Sequence, residues 1–459
     1  MAFTLRSDSV SLLENAATSG NVLLNDTSAT QVTKIKLGSG SYVNVPVAGV
    51  TLTGKYGVLT IKSDGSYSYA ASTSTTDHLK KGSTGSDTFI YSAVGGTSSG
   101  STTLKFTVTG INDAPVLTST TATLTTINED QTTNSGQTVS SFLKSSDVDS
   151  SALRGVALTG LTAGNGQWQY SLNGGTTWTS VGAVANGAAL LLRSTDYIRF
   201  VPNGSDGTTA NFTYSAWDQT SGSAGAKVNA TVTGGETAFS TTSATASIVV
   251  TAVNDAPVGI AATASGVEDG APITGLVRAT DVDSSTLTYA LVANSAVGGS
   301  VSINPTTGAY SFVPAPDFSG VASFRFTASD GSLTSAATAV TITVTGVNDA
   351  PVLTATTATL PSLTESQTDN GGQTVASFLQ STDADSNALS GVAVTGLTPG
   401  NGQWQYSTNA GASWSAVGTV ADGAALLLRS TDYIRFVPNG VSGTSADFTY
   451  RAWDQTSGT

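Results

Sequence analysis

Apolar and polar residues alternate along short stretches of this chain. In Ser323–Thr327 (SFRFT) and Thr341–Thr345 (TITVT), every second side chain is apolar. This period of two is typical of a β-strand with one buried face, and Gly, Asn, Asp and Ser separate the stretches. The longest apolar run, Ala188 to Leu192, has the length of a strand and ends at a polar turn. No stretch has a convincing helical period, so the pattern predicts an all-β protein.

The chain repeats itself, and the repeats predict its domains. Asn-Asp-Ala-Pro begins at Asn112, Asn254 and Asn348, with spacings of 142 and 94 residues that together make 236. Residues 187–204 and 423–440 are identical, and they stand at that same 236-residue offset. The order is therefore a leading unit, a long unit, a short unit and a second long unit. We place these four repeats at 1–114, 115–256, 257–350 and 351–459.

The second long unit is shorter than its twin. The first long unit continues from Trp217 to Asn254, whereas the second ends at Thr459, soon after the equivalent Trp453. We interpret the chain as a fragment of a longer array, and we expect the final repeat to be incompletely paired at its edge.

The length of the repeats indicates their architecture. Units of this size, with turn residues every 8–12 positions, are typical of immunoglobulin-like Greek-key β-sandwiches. The proline of each linker cannot donate to a strand ladder, so it suits a strand start or a linker. We expect tandem sandwiches in a linear, rod-like array.

Composition excludes several classes of function. The 459 residues include 18 Lys and Arg, 31 Asp and Glu, one His and no Cys, with a net charge of −13. Disulfides, zinc-thiolate sites and thiol nucleophiles are therefore excluded. Such an acidic chain is not expected to bind nucleic acid or an anionic membrane, and no apolar run is long enough to span a bilayer. His78 lies in a polar loop without a visible catalytic partner, so we predict a surface residue and no enzyme.

The first residues do not resemble a cleaved signal peptide. Met1–Arg6 lacks a charged segment followed by an apolar one. The chain would then stay in the cytoplasm, leave by a route that reads another signal, or be a fragment.

Strand length predicts where the acidic residues lie. A strand rises about 3.3 Å per residue, so the 13 residues from Asp255 to Glu268 span roughly 43 Å, about one sandwich. Asp255 then lies at the top of its repeat and Glu268 near the bottom. The strand that ends at Ser329 ascends, which returns Asp330 to the top. Because successive strands alternate in direction, this count places acids from both neighbouring repeats at each junction.

Each predicted cluster contains carboxylates that would repel one another unless a cation bound them. A hard cation with about six to eight oxygen ligands fits this need, which indicates Ca²⁺ rather than octahedral Mg²⁺. Any single Asp is better explained as a turn former, but the recurrence of the set at three junctions favours calcium. Asp130 and Asp269 are the weakest candidates. The predicted ligand sets are Glu14, Asn112, Asp113, Asp147, Asp149 and Asp218; Glu129, Asn254, Asp255, Asp281, Asp283 and Asp330; and Glu268, Asn348, Asp349, Asp383, Asp385 and Asp454.

These residues resemble the tandem cadherin-like repeats of giant bacterial surface proteins. Thr109–Val116 (TGINDAPV) is similar to the end of such repeats. The first repeat resembles a VCBS repeat through Gly20–Asp26 (GNVLLND), Tyr56–Ile61 (YGVLTI) and Asp64–Tyr69 (DGSYSY). The third resembles a cadherin repeat through Val267-Glu268-Asp269, Asp281-Val282-Asp283 and Ser329-Asp330-Gly331.

The resemblance implies a large adhesin of the RTX kind, exported by type I secretion without a cleaved signal, with calcium at its linkers. The chain departs from the cadherin pattern at Gly110 and Ala114, where two linker ligands would stand. The "DRE" motif is absent, although Asp317 could partly replace it. We therefore expect fewer than three ions at each junction.

Two further patterns have structural alternatives. Ser171–Trp178 and Ser407–Trp414 resemble the Asp-box hairpin of propellers, but each occurs once per long repeat rather than once per blade, which predicts a tight hairpin. The tryptophans 168, 178 and 217, with their twins 404, 414 and 453, could form a core or a sugar-stacking platform; burial would favour the core.

The resulting hypothesis is a calcium-stiffened structural and adhesive region of a secreted or cell-surface bacterial protein. Its partners would be Ca²⁺ and surface or matrix glycans, proteins or like chains. Two alternatives remain open: a carbohydrate-binding accessory region of a larger polysaccharide-degrading enzyme, and an inert calcium-binding spacer.

Overall fold

The computed structural model describes residues 2–458 and consists almost entirely of β-strands, which confirms the predicted all-β class. The sequence predicted no helix, and the structure contains three single-turn ones: α1 (Thr73–Thr76), α2 (Val139–Phe142) and α3 (Val375–Phe378). Four residues are too few to produce a recognisable helical period, which is why the pattern missed them.

The chain divides into two compact units, Met1–Val253 and Asn254–Thr459. The first unit contains the sandwiches of the first and second repeats, and the second contains those of the third and fourth. Each sandwich encloses its own hydrophobic core.

In the first repeat, one sheet has the order β1-β9-β8-β3-β4 and the other β2-β7-β6-β5. Tyr69, Phe89 and Phe106 are fully buried between them. The strands are β1 (Asp8–Leu13), β2 (Ala17–Asn21), β3 (Gln31–Leu37), β4 (Val43–Asn44), β5 (Val50–Thr53), β6 (Gly57–Ile61), β7 (Ser66–Ala71), β8 (Thr84–Gly95) and β9 (Ser98–Thr109).

In the second repeat, the larger sheet has the order β11-β22-β20-β15-β18-β21, and β12 also pairs with β22. It packs on β13-β19-β16-β17, while β10 and β14 form a separate pair. The strands are β10 (Val116–Leu117), β11 (Thr121–Thr123), β12 (Ile127–Asn128), β13 (Gln137–Thr138), β14 (Ser145–Ser146), β15 (Gly155–Thr162), β16 (Gly166–Ser171), β17 (Thr179–Ser180), β18 (Ala189–Arg193), β19 (Tyr197–Pro202), β20 (Thr208–Trp217), β21 (Lys227–Val228) and β22 (Phe239–Thr251).

In the third repeat, the sheets are β24-β31-β30-β27, β25-β29-β28 and the pair β23-β26. Phe312, Phe324 and Phe326 are buried at its centre. The strands are β23 (Val258–Ile260), β24 (Ala262–Val267), β25 (Ile273–Leu276), β26 (Arg278–Thr280), β27 (Thr288–Leu291), β28 (Gly299–Ile303), β29 (Ala309–Pro314), β30 (Gly320–Ser329) and β31 (Thr338–Thr345).

In the fourth repeat, the sheets are β33-β39-β36-β37, β38-β35-β40 and the pair β32-β34. The strands are β32 (Val352–Leu353), β33 (Gln373–Thr374), β34 (Ser381–Thr382), β35 (Gly391–Thr398), β36 (Gly402–Ser407), β37 (Ser415–Ala416), β38 (Leu426–Arg429), β39 (Tyr433–Pro438) and β40 (Asp447–Trp453).

The first three repeats are closed in the same way, by an early strand that runs parallel to the last strand. β1 pairs with β9, β11 and β12 pair with β22, and β24 pairs with β31, all in parallel. A glutamate follows β1, β12 and β24, and its backbone amide bonds to the last strand beside the chain that leaves the repeat.

The large aromatics are mostly core residues. Trp168, Trp217 and Trp404 are at most 4% exposed. Trp178 and Trp414 are half-buried and lie against the guanidinium groups of arginines, with ring-centre distances of 4.1 and 4.0 Å. In the predicted hairpin, the Ser171 side chain accepts a bond from the Gly175 amide at 2.9 Å, as a tight turn requires.

Candidate metal sites at the linkers

Glu14 is held at the first linker by the pairing of β1 with β9. Its own amide donates to the Thr109 carbonyl at 2.9 Å, and the Ile111 amide donates to its Oε1 at 2.7 Å. The residue is 2% exposed, and its Oε2 is buried without a hydrogen-bond partner among the described residues. One carboxylate oxygen therefore fixes the side chain, and the other is available to a ligand.

Asn112 is oriented by an aspartate of the second repeat. Its Nδ2 donates to Asp218 Oδ2 at 2.8 Å and to the Asp113 carbonyl at 3.2 Å. Asp218 Oδ1 in turn accepts bonds from the amide and hydroxyl of Thr220. The side-chain nitrogen of Asn112 is therefore already hydrogen-bonded. Its Oδ1 is buried and accepts no hydrogen bond from any described group.

Three aspartates continue the same arrangement. The Asp113 amide donates to Asp149 Oδ2 at 3.1 Å, and the Asp149 amide donates to Asp147 Oδ1 at 2.9 Å. The second bond is typical of an Asx-turn, so the Asp-Val-Asp segment after β14 turns instead of continuing as a strand. One oxygen of each aspartate is buried and lacks a donor within residues 2–458: Asp113 Oδ2, Asp147 Oδ2 and Asp149 Oδ1.

The sequence analysis missed Asp77, which contributes a further buried oxygen without a donor in the described structure, Oδ1. Asp77 belongs to the loop between β7 and β8, at the same end of the repeat as Glu14. The same count of alternating strand directions could have placed Asp77 at this end of the repeat. The adjacent His78 is exposed, as predicted, but its Nδ1 lies 2.8 Å from the Val148 carbonyl oxygen. This loop therefore joins the first repeat to the second.

The third linker repeats this network. The Val347 amide donates to Glu268 Oε1 at 2.7 Å, and Asn348 Nδ2 donates to Asp454 Oδ2 at 2.8 Å. The amides of Asp349 and Asp385 donate to Asp385 Oδ2 and Asp383 Oδ1 at 2.8 and 2.9 Å. The first and third linkers therefore share one pattern of hydrogen bonds, which we call the linker frame.

The residues of the second linker fall in both compact units, and each half has the corresponding bonds. In the first unit, the Val253 amide donates to Oε1 of the fully buried Glu129 at 2.7 Å. In the second unit, Asn254 Nδ2 donates to Asp330 Oδ2 at 2.6 Å. There, the amides of Asp255 and Asp283 donate to Asp283 Oδ2 and Asp281 Oδ1 at 2.7 and 2.9 Å.

The third linker contains two groups of carboxylates. Oxygens of Glu268, Asp349 and Asp385 lie within 4.8 Å of one another. Asp349 also lies within 4.8 Å of the exposed residues Asp269 and Asp317. Asp269, one of the two weakest candidates from the sequence, thus lies at the linker, and so does Asp317.

The electrostatics of the first linker favour a bound cation. Burial raises the pKa of Glu14 to about 7, and the charges of Asp113, Asp149 and Asp77 add to this effect. The hydrogen bond from the Ile111 amide lowers the pKa but does not offset the increase. Burial also raises the pKa of Asp147 to about 6. By contrast, a backbone amide, that of Thr456, is the main cause that lowers the pKa of Asp454. Glu14 and Asp147, whose pKa values are raised, each carry a buried oxygen without a described donor.

The donor set fits calcium. The first linker offers six buried oxygens with no described donor, on Glu14, Asp77, Asn112, Asp113, Asp147 and Asp149. Ca²⁺ takes about six to eight oxygen ligands in flexible geometry, whereas Mg²⁺ usually retains several waters. Hard oxygen donors without His or Cys also argue against transition metals.

Comparison with known proteins supports the cadherin-like character of the third repeat. Residues 254–346 match the family model of the bacterial cadherin-like domain. No curated protein matches the chain.

The chain is also similar to solved cadherin structures. A protocadherin gammaB7 EC3-6 cis-dimer structure is 16% identical, with 98% of both chains covered and a TM-score of 0.40. The human desmocollin-1 ectodomain is 14% identical, with 99% of this chain and 78% of that chain covered and a TM-score of 0.37. Mouse cadherin-23 EC22-24 is 15% identical, with 74% and 96% covered and a TM-score of 0.35.

Among the described residues, no helix has the length and apolar character needed to cross a membrane.

Proposed function

We propose that this chain is a calcium-stiffened structural and adhesive region of a bacterial surface protein. The observation that carries the proposal is the linker frame. At the first linker, amide groups donate to one oxygen each of Glu14, Asp147, Asp149 and Asp218, and six further oxygens of the linker residues are buried without a described donor. The match of residues 254–346 to a bacterial cadherin-like domain supports an extracellular, adhesive setting.

At the first linker, we assign the ligands to the six residues with free oxygens. Asp218 has both carboxylate oxygens in hydrogen bonds, so we assign it the role of orienting Asn112. The same reasoning makes Asp330 and Asp454 positioning residues at the other linkers. This narrows the ligand set that the sequence suggested.

A bound cation would stiffen the first linker because its ligands come from three segments. Asp77 lies on a loop of the first repeat, Asn112 and Asp113 lie in the linker, and Asp147 and Asp149 lie on a loop of the second repeat. Calcium supplies the positive charge that these acids lack. Without it, their mutual repulsion would favour separation of the segments.

Calorimetric titration of calcium into the metal-free chain tests this proposal. The double variant Asp147→Asn/Asp149→Asn should lose the calcium of the first linker and retain that of the third. Asp64→Asn/Asp447→Asn is the matched control, since it removes two exposed charges that belong to no linker network. Equal calcium stoichiometry in the two double variants would refute the assignment.

Adhesion needs its own test, because an inert spacer would bind calcium equally well. Beads coated with the chain should aggregate in calcium and disperse in chelator if like chains adhere. Beads that stay dispersed in calcium would favour the spacer. The burial of Trp168, Trp217 and Trp404 removes the main support for a sugar-stacking platform, so we do not propose a glycan site.

A further inference from the structure

Backbone bonds hold the start of the first linker to the first repeat. The Gly110 amide donates to the Ser83 carbonyl, and the Gly110 carbonyl accepts a bond from the Gly82 amide, both at 2.9 Å. A Cβ atom at Gly110 would overlap the carbonyl oxygen of Leu79. The linker and the loop after α1 therefore pack so closely that only glycine fits between them.

Two further bonds hold the rest of this linker to the second repeat. The Ala114 amide donates to the Gly235 carbonyl at 2.9 Å, and Asn112 Nδ2 donates to the Thr237 carbonyl at 3.1 Å. Both carbonyls belong to residues 219–237, the segment between β20 and β22, which we call the strap. A small apolar core fixes the strap to the second repeat and includes Leu191, Trp217, Ala230 and Phe239.

The first two repeats also bond to each other directly. The Ser150 amide donates to the His78 carbonyl at 3.2 Å. His78 Nδ1 lies 2.8 Å from the Val148 carbonyl oxygen, and a carbonyl oxygen only accepts, so the ring donates this bond. We use the word clamp for the bonds that join Gly110, Asn112, Ala114 and His78 to backbone groups. No bond of the clamp ends on a carboxylate.

The third linker has no equivalent of the clamp among the described residues. A Cβ atom at Gly346, the counterpart of Gly110, would lie 3.3 Å from its nearest neighbour, Glu268 Oε1. The described hydrogen bonds from this linker to the fourth repeat end on the carboxylates of Asp385 and Asp454. Cohesion of the third linker therefore depends on acidic groups, which repel one another when no cation is bound.

We propose that the two linkers respond differently to calcium, because the clamp keeps the first linker stiff without the ion whereas the third linker is a hinge that calcium stiffens. Carboxylate repulsion acts at both linkers, but only at the first do bonds between neutral groups oppose it. The third-linker half of this proposal rests on the proposed calcium site, and the first-linker half does not. Loss of calcium would then bend the chain within its second compact unit and leave the first unit unchanged.

Pulsed electron paramagnetic resonance on the full chain tests the proposal. The chain has no cysteine, so introduced cysteines carry spin labels at the chosen positions only. Lys105→Cys/Ser180→Cys places labels across the first linker, and Thr341→Cys/Ala416→Cys places them across the third; all four positions are exposed. In chelator, the distance distribution of the first pair should keep its width, and that of the second pair should broaden.

Substitutions in the linkers test the clamp itself. Gly110→Ala should break the clamp, so the first distribution should then broaden in chelator. Gly346→Ala is the matched control, because its Cβ atom overlaps no described atom, and the second distribution should match that of the unsubstituted linker. His78→Ala is an independent variant that removes one bond of an exposed ring and should broaden the first distribution less.

Equal broadening of both distributions in chelator would overturn the proposal, and so would a first distribution that Gly110→Ala leaves unchanged. A second distribution that stays narrow in chelator, in a chain whose calcium binding is confirmed by calorimetry, would refute the hinge. Absence of calcium binding in that titration would refute the proposed function and the hinge together, and the Gly110→Ala result would still decide the clamp.

Discussion

The second and fourth repeats share long identical stretches and differ in how their sheets are closed. Phe212 is fully buried and its twin Phe448 is half-buried, although their strands have similar sequences, TTANFTYSAW at 208–217 and TSADFTYRAW at 444–453. The difference arises from β22, which the second repeat contributes from residues 239–251. Burial of these aromatics is therefore decided by a strand far along the chain rather than by their own segment.

The comparison extends to the candidate metal sites. Glu129 follows β12, is fully buried and accepts the Val253 amide. Its twin Glu365 is exposed in a segment that forms no strand. The parallel pairing of the early and last strands thus both closes the core and positions one glutamate at the end of the repeat. Core closure and half of a linker site depend on the same pairing.

The largest expected effect comes from truncating the twin phenylalanines. Phe212→Ala should cost about 3–5 kcal/mol, because it leaves a cavity in a closed core. Phe448→Ala should cost less than half as much, because the side chain is already partly open to water. Urea-dependent hydrogen exchange, read separately in each repeat, measures both. Equal costs would show that the partial exposure of Phe448 does not reduce its contribution to stability.

Calcium removal should have the next largest effect. Binding to the folded state alone stabilises by about 2.7 kcal/mol when free calcium is 100 times the Kd. Calorimetric melting in calcium and in chelator should show lower transitions for both compact units in chelator, since each contains a linker frame. Replacement by magnesium should restore little of the loss. Superimposable melting curves in calcium and chelator would contradict a calcium site.

The glutamates that follow the early strands give a more specific contrast. Glu14→Gln replaces a buried carboxylate, whose Oε2 has no described donor, by a neutral amide. Calcium binding at the first linker should weaken at least ~10-fold, or about 1.4 kcal/mol. Glu365→Gln should leave calcium affinity unchanged, because Glu365 is exposed. Titration calorimetry compares the two. A similar loss in both variants would mean that net charge, rather than the positioned oxygen, governs binding.

The smallest effect concerns the closing strand of the first repeat. Asp8 begins β1, and its Oδ2 lies 3.0 Å from the Tyr91 hydroxyl. Burial, helped by the charge of Asp26, raises the pKa of Asp8 to about 6 although the bond from Tyr91 lowers it. The folded state therefore holds the proton more tightly than the unfolded state, and stability falls as the pH rises from about 4 to about 6.

Asp8→Asn should consequently stabilise the first repeat at pH 7.5 by about 1 kcal/mol, a value reduced for partial exposure, and should lose this advantage near pH 3.5. Chemical unfolding at the two pH values measures the difference. A gain that is independent of pH would show that packing, rather than ionisation, is responsible.

The sequence alone determined the strand-rich class, because alternation along a strand is a local property. It also determined the repeated linker motif, and strand length with parity indicated where the acids lie. Tertiary structure decided which oxygen of Glu14 and of Asp149 is free, because backbone amides from distant segments bond to the other one. It also decided the positions of Asp77 and Asp317, which lie on loops, and the burial of Phe212 by β22. Those features depend on which segments pack together, and one strand's own residues do not encode the strand that covers it.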